Sequence, residues 1–276
     1  MFKLVVSDFD GTLLDSYDAI AVSTVAALDE YRRNGNLFAI ATGRVLPSVL
    51  EYISDYPFID YILGLDGSYI YDVANEKAIF KQRLSLKAIR TIHEKYANEN
   101  LIYYCTPDKW NLYAGFLDYP DYSYVYEDRI ISFDKFLEKN KTNIYKIEVH
   151  FNTLEEAKKA AKEISKMNIE ATGVVQVHTK LNYLVEITSS KINKYISVQK
   201  LQEKLKLKTS EIAVIGDGYN DLELVGGKYY GVAVKNACPE ILKKAKYITN
   251  SNNNKGVERF LREKCLNKEE MKWKKE

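Results

Sequence analysis

The 276-residue chain contains little of what stabilises small secreted or metal-stapled proteins. It has three cysteines and three histidines; no two cysteines form a CxxC pair, and none lies near a histidine cluster. This pattern argues against a disulfide framework and against a zinc site. Only 5 prolines and 13 glycines are present, too few for a collagenous or low-complexity chain. We therefore expect an ordinary globular protein whose cysteines are reduced and structural.

The chain also lacks an excess of charge of one sign and a long apolar run. Lysine plus arginine number 40 against 38 aspartate plus glutamate, which gives a formal charge of +2. This balance argues against a dedicated nucleic-acid-binding protein. No segment is apolar over the length of a bilayer, and residues 2–6 resemble a strand rather than a secretion signal. We expect a cytoplasmic protein with no nucleic-acid, membrane or obligatory protein partner.

Short apolar runs that end in polar residues alternate with helical patterns in both terminal parts of the chain. Continuous apolar runs of this length are typical of buried parallel strands. The alternation predicts an α/β fold with a doubly wound, mostly parallel sheet. The predicted strands are 3–7, 37–41, 61–65, 212–215 and 230–234. The predicted helices are 18–34, 46–55, 196–205 and 220–224.

The middle of the chain follows a different pattern. A predicted hairpin over 68–82 is followed by helical segments and by strands that pair as neighbours, which together indicate an inserted α+β domain. The predicted helices here are 84–100 and 154–167, and the predicted strands are 101–105, 111–114, 145–151, 173–178 and 183–187. We assign residues 1–82 and 188–276 to a discontinuous core and residues 83–187 to the insert. The charged residues 262–276 are expected to form a fraying helix or a tail.

Four short polar segments of the core are each expected to follow an apolar strand. Because the carboxyl ends of parallel strands meet at one edge of a sheet, we expect these segments to converge there. The first is Asp8-Phe9-Asp10-Gly11-Thr12, in which one carboxylate can attack phosphorus while the other moves a proton. Taken alone, an Asp-x-Asp-Gly sequence is often only a turn.

The other three segments supply phosphate and metal ligands. Thr42-Gly43-Arg44 offers a hydroxyl and backbone N–H groups that can hold phosphate oxygens, although threonine is also a common helix N-cap. Lys194, just before the helix at 196, can offset phosphate charge. Gly216-Asp217-Gly218-Tyr219-Asn220-Asp221 carries the hard oxygen ligands that Mg²⁺ prefers. This last segment is the most specific, because apolar strands rarely end in so many carboxyl and amide groups without an ion or ligand.

In this order, the four segments resemble the motifs of the haloacid dehalogenase superfamily of phosphatases. The resemblance covers the core and is close to the Cof-type branch, whose class IIB cap lies between the second and third motifs, where the insert lies here. Further matching segments are Gly231-Val232-Ala233-Val234, Asn236-Ala237 and Gly256-Val257. The resemblance implies Mg²⁺-dependent hydrolysis of small phosphorylated metabolites, sugar phosphates being expected, through an aspartyl-phosphate.

The resemblance also implies a role for each matched residue. Asp8 would be the nucleophile, and Asp10 would be the general acid and then the general base. The expected catalytic residues are Asp8, Asp10, Thr42 and Lys194. The expected phosphate-binding residues are Gly11, Thr42, Gly43, Arg44, Lys194 and Asn220. The expected Mg²⁺ ligands are Asp8, Asp10 through its backbone carbonyl, Asp217 and Asp221.

Asp66 departs from the resembled pattern. The branch usually has Asn-Gly after the third strand, whereas this chain has Asp66-Gly67, which adds a negative charge near the expected site. We expect this charge to affect the choice of substrate or the working pH range. Lys235 and the lack of an acidic residue in Asn254-Lys255-Gly256 are further departures, and neither touches the four motifs.

Several other polar residues have competing interpretations. Arg44 is equally compatible with a substrate contact and with a pair to a core carboxylate. Asp15 and Asp18 are interpreted as caps of the helix at 18–34. The three histidines, which have no metal-ligand spacing, are interpreted as structural or surface residues: His93, His150 and His178.

Three functions remain open from the sequence. Hydrolysis of a phosphate ester is the leading one, because the superfamily's hydrolases carry an acid at the position of Asp10 where its transport ATPases carry threonine. A phosphomutase would return the phosphoryl group to a sugar. A non-catalytic sensor of phosphorylated metabolites would keep the fold for binding only. The four intact motif residues argue against it: Asp8, Asp10, Lys194 and Asp217.

Overall fold

The computed structural model describes residues 2–54, 56, 58–113, 127–130, 132–140, 143–178 and 182–266, and for residues 127, 177, 178 and 182 the backbone alone. These residues form two sheets with helices around them. The strands are β1 (Leu4–Asp8), β2 (Leu37–Ala41), β3 (Tyr61–Gly64), β4 (Tyr69–Asp72), β5 (Lys77–Lys81), β6 (Ile102–Cys105), β7 (Trp110–Tyr113), β8 (Glu127–Arg129), β9 (Lys146–Phe151), β10 (Ala171–His178), β11 (Asn182–Ser189), β12 (Ile212–Gly216), β13 (Tyr230–Ala233) and β14 (Tyr247–Ile248). The helices are α1 (Val22–Arg33), α2 (Leu46–Ile53), α3 (Leu86–Tyr96), α4 (Phe133–Asn140), α5 (Leu154–Lys166), α6 (Lys194–Leu205), α7 (Leu222–Gly226), α8 (Pro239–Lys244) and α9 (Gly256–Phe260).

The larger sheet has eight strands in the order β14-β13-β12-β1-β2-β3-β4-β5. Strands from β14 to β3 run parallel, and β4 and β5 add an antiparallel edge. Both faces are covered: Val5 of β1 packs in the cluster that contains α1 and α9 residues, whereas Leu4 and Val6 pack against α6. Alternate side chains of one strand thus serve two cores, as a doubly wound sheet requires. The predicted fold class is confirmed.

The smaller sheet has six strands in the order β10-β11-β9-β6-β7-β8. Its pairs are antiparallel except β7 with β8. Along β9, Ile147 and Val149 pack with residues of α3 and α5, and the alternate residues Lys146 and Glu148 occupy the opposite face. That polar face looks toward the larger sheet rather than toward solvent.

Two local predictions at the start of helices are wrong. Helix α1 begins at Val22 rather than near residue 18, so Asp15 and Asp18 do not cap it. The Asp15 carboxylate instead accepts hydrogen bonds from the backbone N–H groups of Tyr17 and Ala19. Such local bonds from an aspartate side chain to the backbone compete with helix formation. Lys194 lies in the first turn of α6 rather than before it, because the side chain of Asn193 accepts the Ile196 N–H as the N-cap.

Parts of three further predictions fall outside the described residues. The proposed tail at 262–276 lies mostly outside the described residues, as do Ala114 of the strand predicted at 111–114 and the side chain of His178.

His93 stacks on Phe133 with ring centroids 3.5 Å apart and lies within hydrogen-bond distance of the Tyr104 hydroxyl, in keeping with a structural role. Within the described residues, no helix has both the length and the apolar composition needed to cross a bilayer.

Candidate active site

The four predicted segments converge at the carboxyl edge of the larger sheet. Strand β1 lies between β2 and β12 in parallel register, which brings Asp8 beside the segments that follow the other two strands. A cavity of about 710 Å³ opens at this edge, lined by residues of both sheets. Asp8, Asp10, Arg44, Lys194 and Asp217 are among them.

Three carboxylates and one lysine form the centre of the site, which we call the Lys194 cluster: Lys194, Asp8, Asp217 and Asp221. Carboxylate oxygens of the three aspartates lie within 4.8 Å of one another. The Lys194 Nζ donates to Asp8 Oδ1 at 2.6 Å and to Asp221 Oδ1 at 2.9 Å. Lys194 is 1% exposed and Asp221 is fully buried, so this charge lies away from water.

Burial and mutual repulsion make the negative charge of this cluster costly. Burial, followed by the charge of Asp221, raises the pKa of Asp8 well above its usual range, against the opposing effect of Lys194. Burial and Asp221 also raise the pKa of Asp217. Asp8 and Asp221 are buried and Asp217 is half-buried, and these three carboxylates around one ammonium could hold a further cation. Their hard oxygen donors suit Mg²⁺.

Hydrogen bonds fix the two aspartates that follow β12. The Thr12 hydroxyl donates to Asp217 Oδ1 at 2.7 Å. The backbone N–H groups of Asp217 and Gly218 both donate to Asp221 Oδ2 at 3.2 Å. Thr12 was not among the predicted site residues, although it belongs to the first motif; its place after Asp-x-Asp-Gly was the available signal.

Gly11 is held against Asp217, one of the predicted metal ligands. Its φ is +75°, and a Cβ at this position would lie 2.7 Å from Asp217 Oδ2. Its carbonyl accepts the Asn236 side-chain amide at 2.8 Å. Glycine is required here both by the backbone conformation and by the space that Asp217 occupies.

The segment after β2 that is predicted to bind phosphate forms a turn of its own. The buried Thr42 hydroxyl accepts the Arg44 N–H at 3.1 Å, and the Thr42 N–H donates to Leu63 O at 2.9 Å. Because α2 begins at Leu46 after Val45, the alternative that Thr42 is the helix N-cap is wrong. Gly43 and Arg44 line the cavity.

Arg44 pairs with the second aspartate of the first motif. Its Nη2 lies 2.5 Å from Asp10 Oδ1, and its Nε lies 3.1 Å from both oxygens of that carboxylate. The guanidinium also packs over the rings of Phe9 and Tyr52. Of the two partners left open by the sequence, the carboxylate is the one that Arg44 contacts in this structure.

Asn220 contacts Asp66, the residue that departs from the resembled pattern. The Asn220 amide donates to Asp66 Oδ1 at 3.1 Å, and Lys146 Nζ of β9 lies 3.2 Å from Asp66 Oδ2. Burial alone would raise the pKa of Asp66, but the charges of Lys146 and Lys194 outweigh it and lower that pKa. The additional negative charge is therefore neutralised by a lysine of the smaller sheet.

The smaller sheet supplies the cavity wall opposite Asp8. These residues were not predicted, and the signal for them was the alternation of polar and apolar residues in β9, which resembles a solvent-facing strand. His150, interpreted from the sequence as structural or at the surface, is one of them. The residues are Tyr103, Trp110, Lys146, Glu148, His150, Gln176, Leu184 and Glu186.

A doubly wound sheet with a buried carboxylate and lysine centre at its carboxyl edge defines an α/β enzyme. Comparison with known proteins gives the family: the model for haloacid dehalogenase-like hydrolases matches residues 5–261. The chain belongs to the haloacid dehalogenase-like hydrolase family.

Relatives of known name share most of this chain. It is 25% identical over 260 residues to 5-amino-6-(5-phospho-D-ribitylamino)uracil phosphatase YcsE of Bacillus subtilis, with 94% of each chain covered. It is 26% identical over 263 residues to phosphoglycolate phosphatase 1 of Saccharolobus solfataricus, with 95% of each covered. The solved structure of the subclass IIB sugar phosphatase BT4131 superposes with a TM-score of 0.74 at 21% identity, covering 94% of this chain and 98% of that one.

The structural superposition, at this identity, shows a shared fold. The match to the family model confirms the predicted family and the hydrolase class. The names of the relatives support phosphatase activity, each for its own substrate.

Proposed function

We propose that the protein is a Mg²⁺-dependent phosphatase that hydrolyses a small phosphorylated metabolite through an aspartyl-phosphate at Asp8. The observation that carries this proposal is the Lys194 cluster, in which Asp8 Oδ1 lies 2.6 Å from a buried ammonium and beside two further carboxylates. We also propose that residues 1–82 and 188–276 form the catalytic core and residues 83–187 its cap.

The donor set fits a magnesium ion. Asp8, Asp217 and Asp221 offer carboxylate oxygens close enough to share one cation, and we assign the backbone carbonyl of Asp10 as a further ligand. When bound, the ion would offset the charge of the phosphoryl group that an anionic nucleophile must approach. Lys194 would contribute a second positive charge from the protein.

In the first half-reaction, Asp8 attacks phosphorus and the ester P–O bond breaks. The alkoxide that leaves takes a proton from the Asp10 carboxyl. Thr42, the backbone of Gly43 and Lys194 hold the equatorial oxygens, on which the transition state spreads negative charge. Asp8 then carries the phosphoryl group.

In the second half-reaction, Asp10 removes a proton from water, which attacks phosphorus and breaks the bond to Asp8. Inorganic phosphate leaves, and Asp10 is protonated again. Because Arg44 holds the Asp10 carboxylate in this structure, we propose that Arg44 moves to an oxygen of the substrate when Asp10 takes part in proton transfer.

The side chains that the cap contributes to the cavity wall suit a leaving group that carries several hydroxyl groups. Glu148 and Glu186 can accept hydrogen bonds from hydroxyl groups, and the Gln176 amide can both donate and accept them. Tyr103 and Trp110 offer rings against which a sugar or polyol can pack. The sugar phosphatase BT4131 and the phosphoribitylamino-uracil phosphatase agree with this class.

The test is a screen of phosphorylated metabolites with the metal-free protein and with added Mg²⁺, scored by release of inorganic phosphate. We expect sugar or polyol phosphates to release inorganic phosphate only when Mg²⁺ is added. We expect Asp217→Asn to abolish this release. Asp134→Asn is the matched control, because Asp134 is an exposed aspartate on the cap. Equal release without any divalent cation would refute the proposal.

The same screen distinguishes a phosphatase from a phosphomutase, which returns the phosphoryl group to a sugar. A phosphomutase would depend on a bisphosphate activator and would release little inorganic phosphate. Binding of the phosphorylated compounds without any turnover would identify a sensor.

A further inference from the structure

A second buried lysine lies where cap and core meet. We call its surroundings the Lys146 cluster: Lys146, Asp66, Glu148 and Glu186. Resting on the phosphatase proposed above, we infer that Lys146 is a positioning residue by which the cap fixes the phosphate-binding segment of the core. Lys146 belongs to β9 of the cap, whereas Asp66 and its neighbour Gly43 belong to the core.

Four oxygens surround the Lys146 ammonium, which is 1% exposed. Two belong to the cap: Glu148 Oε1 at 2.7 Å and Glu186 Oε1 at 2.9 Å. Two belong to the core: the Gly43 carbonyl at 2.8 Å and Asp66 Oδ2 at 3.2 Å. One side chain therefore joins the cap to two segments of the active site.

The first link reaches the phosphate-binding segment directly. Gly43 follows Thr42, and a Cβ at Gly43 would lie 3.1 Å from Lys146 Nζ and 3.1 Å from Glu186 Oε1. These distances are tighter than most Cβ contacts, so a side chain at Gly43 would displace the lysine or the glutamate by a few tenths of an ångström. A hydrogen bond to this carbonyl sets the orientation of the peptide that joins Gly43 to Arg44.

The second link reaches the metal-binding segment through Asp66. One carboxylate oxygen of Asp66 faces Lys146, and the other accepts the amide of Asn220, which directly precedes Asp221. Asp66 has φ +54°, a left-handed conformation that directs its backbone N–H to the Thr42 carbonyl at 3.0 Å. Both catalytic segments are thus tied to the same cap lysine.

The charges that surround Lys146 favour its protonated form. Burial would lower the pKa of Lys146, but Asp66, Glu148 and Glu186 outweigh it and raise that pKa. Burial and Asp66 raise the pKa of Glu186 to about 7. Lys146 therefore stays charged, and its three carboxylates depend on it for compensation.

A purely structural role does not account for an ion cluster at this interface. The neighbouring contacts are apolar, with Tyr69 and Val45 of the core packed against Tyr103, Leu112 and Tyr145 of the cap. Buried ion pairs are often no more stabilising than apolar residues of similar volume. A charged group placed on the Gly43 carbonyl instead gives orientation to the segment that holds phosphate.

The experiment compares Lys146→Met with Lys95→Met. Lys95 is also a cap lysine in an ion pair, 2.8 Å from Glu163, but it is on α3, 41% exposed and absent from the cavity wall. Because Lys146→Met leaves three buried carboxylates and can impair folding, the compensated double variant Lys146→Met/Glu186→Gln is measured as well. Thermal unfolding verifies that each variant is folded.

Two readouts distinguish positioning from stability. The first is kcat for a sugar phosphate and for para-nitrophenyl phosphate, with the KM of each. The second is amide hydrogen exchange of peptides that cover residues 42–46 and 63–68, which requires no turnover. We expect Lys146→Met and the double variant to lose up to about 100-fold in kcat on both substrates, as misplacement of a catalytic segment does. Exchange in both peptides should rise, and Lys95→Met should match the wild type.

Unchanged exchange in the folded double variant, with kcat near the wild-type value, would overturn the inference. A loss confined to the sugar phosphate would overturn it too, because Lys146 would then bind the leaving group rather than position the phosphate-binding segment. Failure of the phosphatase proposal is recognised separately, by a wild-type protein that has no Mg²⁺-dependent turnover while its exchange still responds to Lys146→Met.

Discussion

The Lys194 cluster and the Lys146 cluster use the same chemistry in different places. Each has a lysine that is 1% exposed and surrounded by carboxylates. The Lys194 cluster lies wholly within the core, where strand ends and a helix start deliver its members. The Lys146 cluster is divided between the two sheets, so its contacts require the smaller sheet to lie against the larger one.

This difference assigns different tasks to two similar sets of residues. In the mechanism proposed above, the carboxylates around Lys194 hold Mg²⁺ and supply the nucleophile, so they act on the phosphoryl group itself. Carboxylates around Lys146 hold a lysine on the Gly43 carbonyl, so they act on the segment that holds phosphate. Removing a member of the first cluster should stop the reaction, and removing a member of the second should slow it.

The largest effect is expected for Asp8→Asn. An amide cannot act as the nucleophile, so release of inorganic phosphate should fall to the background while the fold is kept. Glu148→Gln, which removes a carboxylate of the Lys146 cluster, should keep measurable turnover. Steady-state phosphate release by the two variants checks this; turnover of Asp8→Asn equal to that of Glu148→Gln would remove the distinction between the clusters.

Asp10→Asn should have the next largest effect. The amide cannot exchange a proton with the leaving group or with water, and we expect a loss of roughly 10²–10⁴-fold in kcat. Substrates whose leaving group needs no proton, such as para-nitrophenyl phosphate, should lose less in the first half-reaction. A loss that is the same for good and poor leaving groups under single-turnover conditions would contradict the role of Asp10 as the acid.

Gly11→Ala compared with Gly35→Ala isolates the metal-binding side of the Lys194 cluster. Both glycines have positive φ, +75° and +79°, so both substitutions should cost about 1–2 kcal/mol of unfolding free energy. A Cβ on Gly11 meets Asp217, whereas a Cβ on Gly35 meets no atom within 4 Å. The Mg²⁺ concentration for half-maximal activity should rise by roughly 10- to 100-fold in Gly11→Ala alone. An equal rise in Gly35→Ala would contradict this account.

The smallest effect concerns the pH dependence of the Lys146 cluster. Burial and the charge of Asp66 raise the pKa of Glu186 from 4.5 to about 7. Glu186 therefore binds its proton more tightly in the folded protein than in the unfolded chain, and the stability that this group contributes falls as pH rises from 4.5 through about 7. In Asp66→Asn the neighbouring charge is gone, so the pKa of Glu186 should fall and this decline should weaken. Urea unfolding across that pH range measures it, and an unchanged decline in Asp66→Asn would show that Asp66 does not act on Glu186.

The Lys194 cluster was predictable because its three aspartates lie at or after the ends of apolar strands. Parallel pairing of β1 with β2 and β12 follows from three continuous apolar runs, and the carboxyl ends of such strands share one edge. Asp8, Asp217 and Asp221 could therefore be brought together without coordinates. Lys194 was placed in the right region, although the N-cap at Asn193 shifted the helix start by two residues from the prediction.

The Lys146 cluster could not be predicted in the same way. The alternation in β9 shows that Lys146, Glu148 and His150 share a face, but it does not show what that face meets. The partner of Asp66 depends on how the cap rests on the core, which no local pattern specifies. The loop at Asp15 was missed because aspartate serves helix caps and loop hydrogen bonds equally well.

The most direct test of the covalent role of Asp8 is to locate the phosphoryl group during turnover. The wild-type protein would be mixed with a phosphorylated substrate labelled in the phosphoryl group, in the presence of Mg²⁺, and quenched in acid before peptide mapping. We predict label on the carboxylate of Asp8, within the peptide that contains β1. Rapid phosphate release with no label on Asp8, or with label on another residue, would contradict the mechanism.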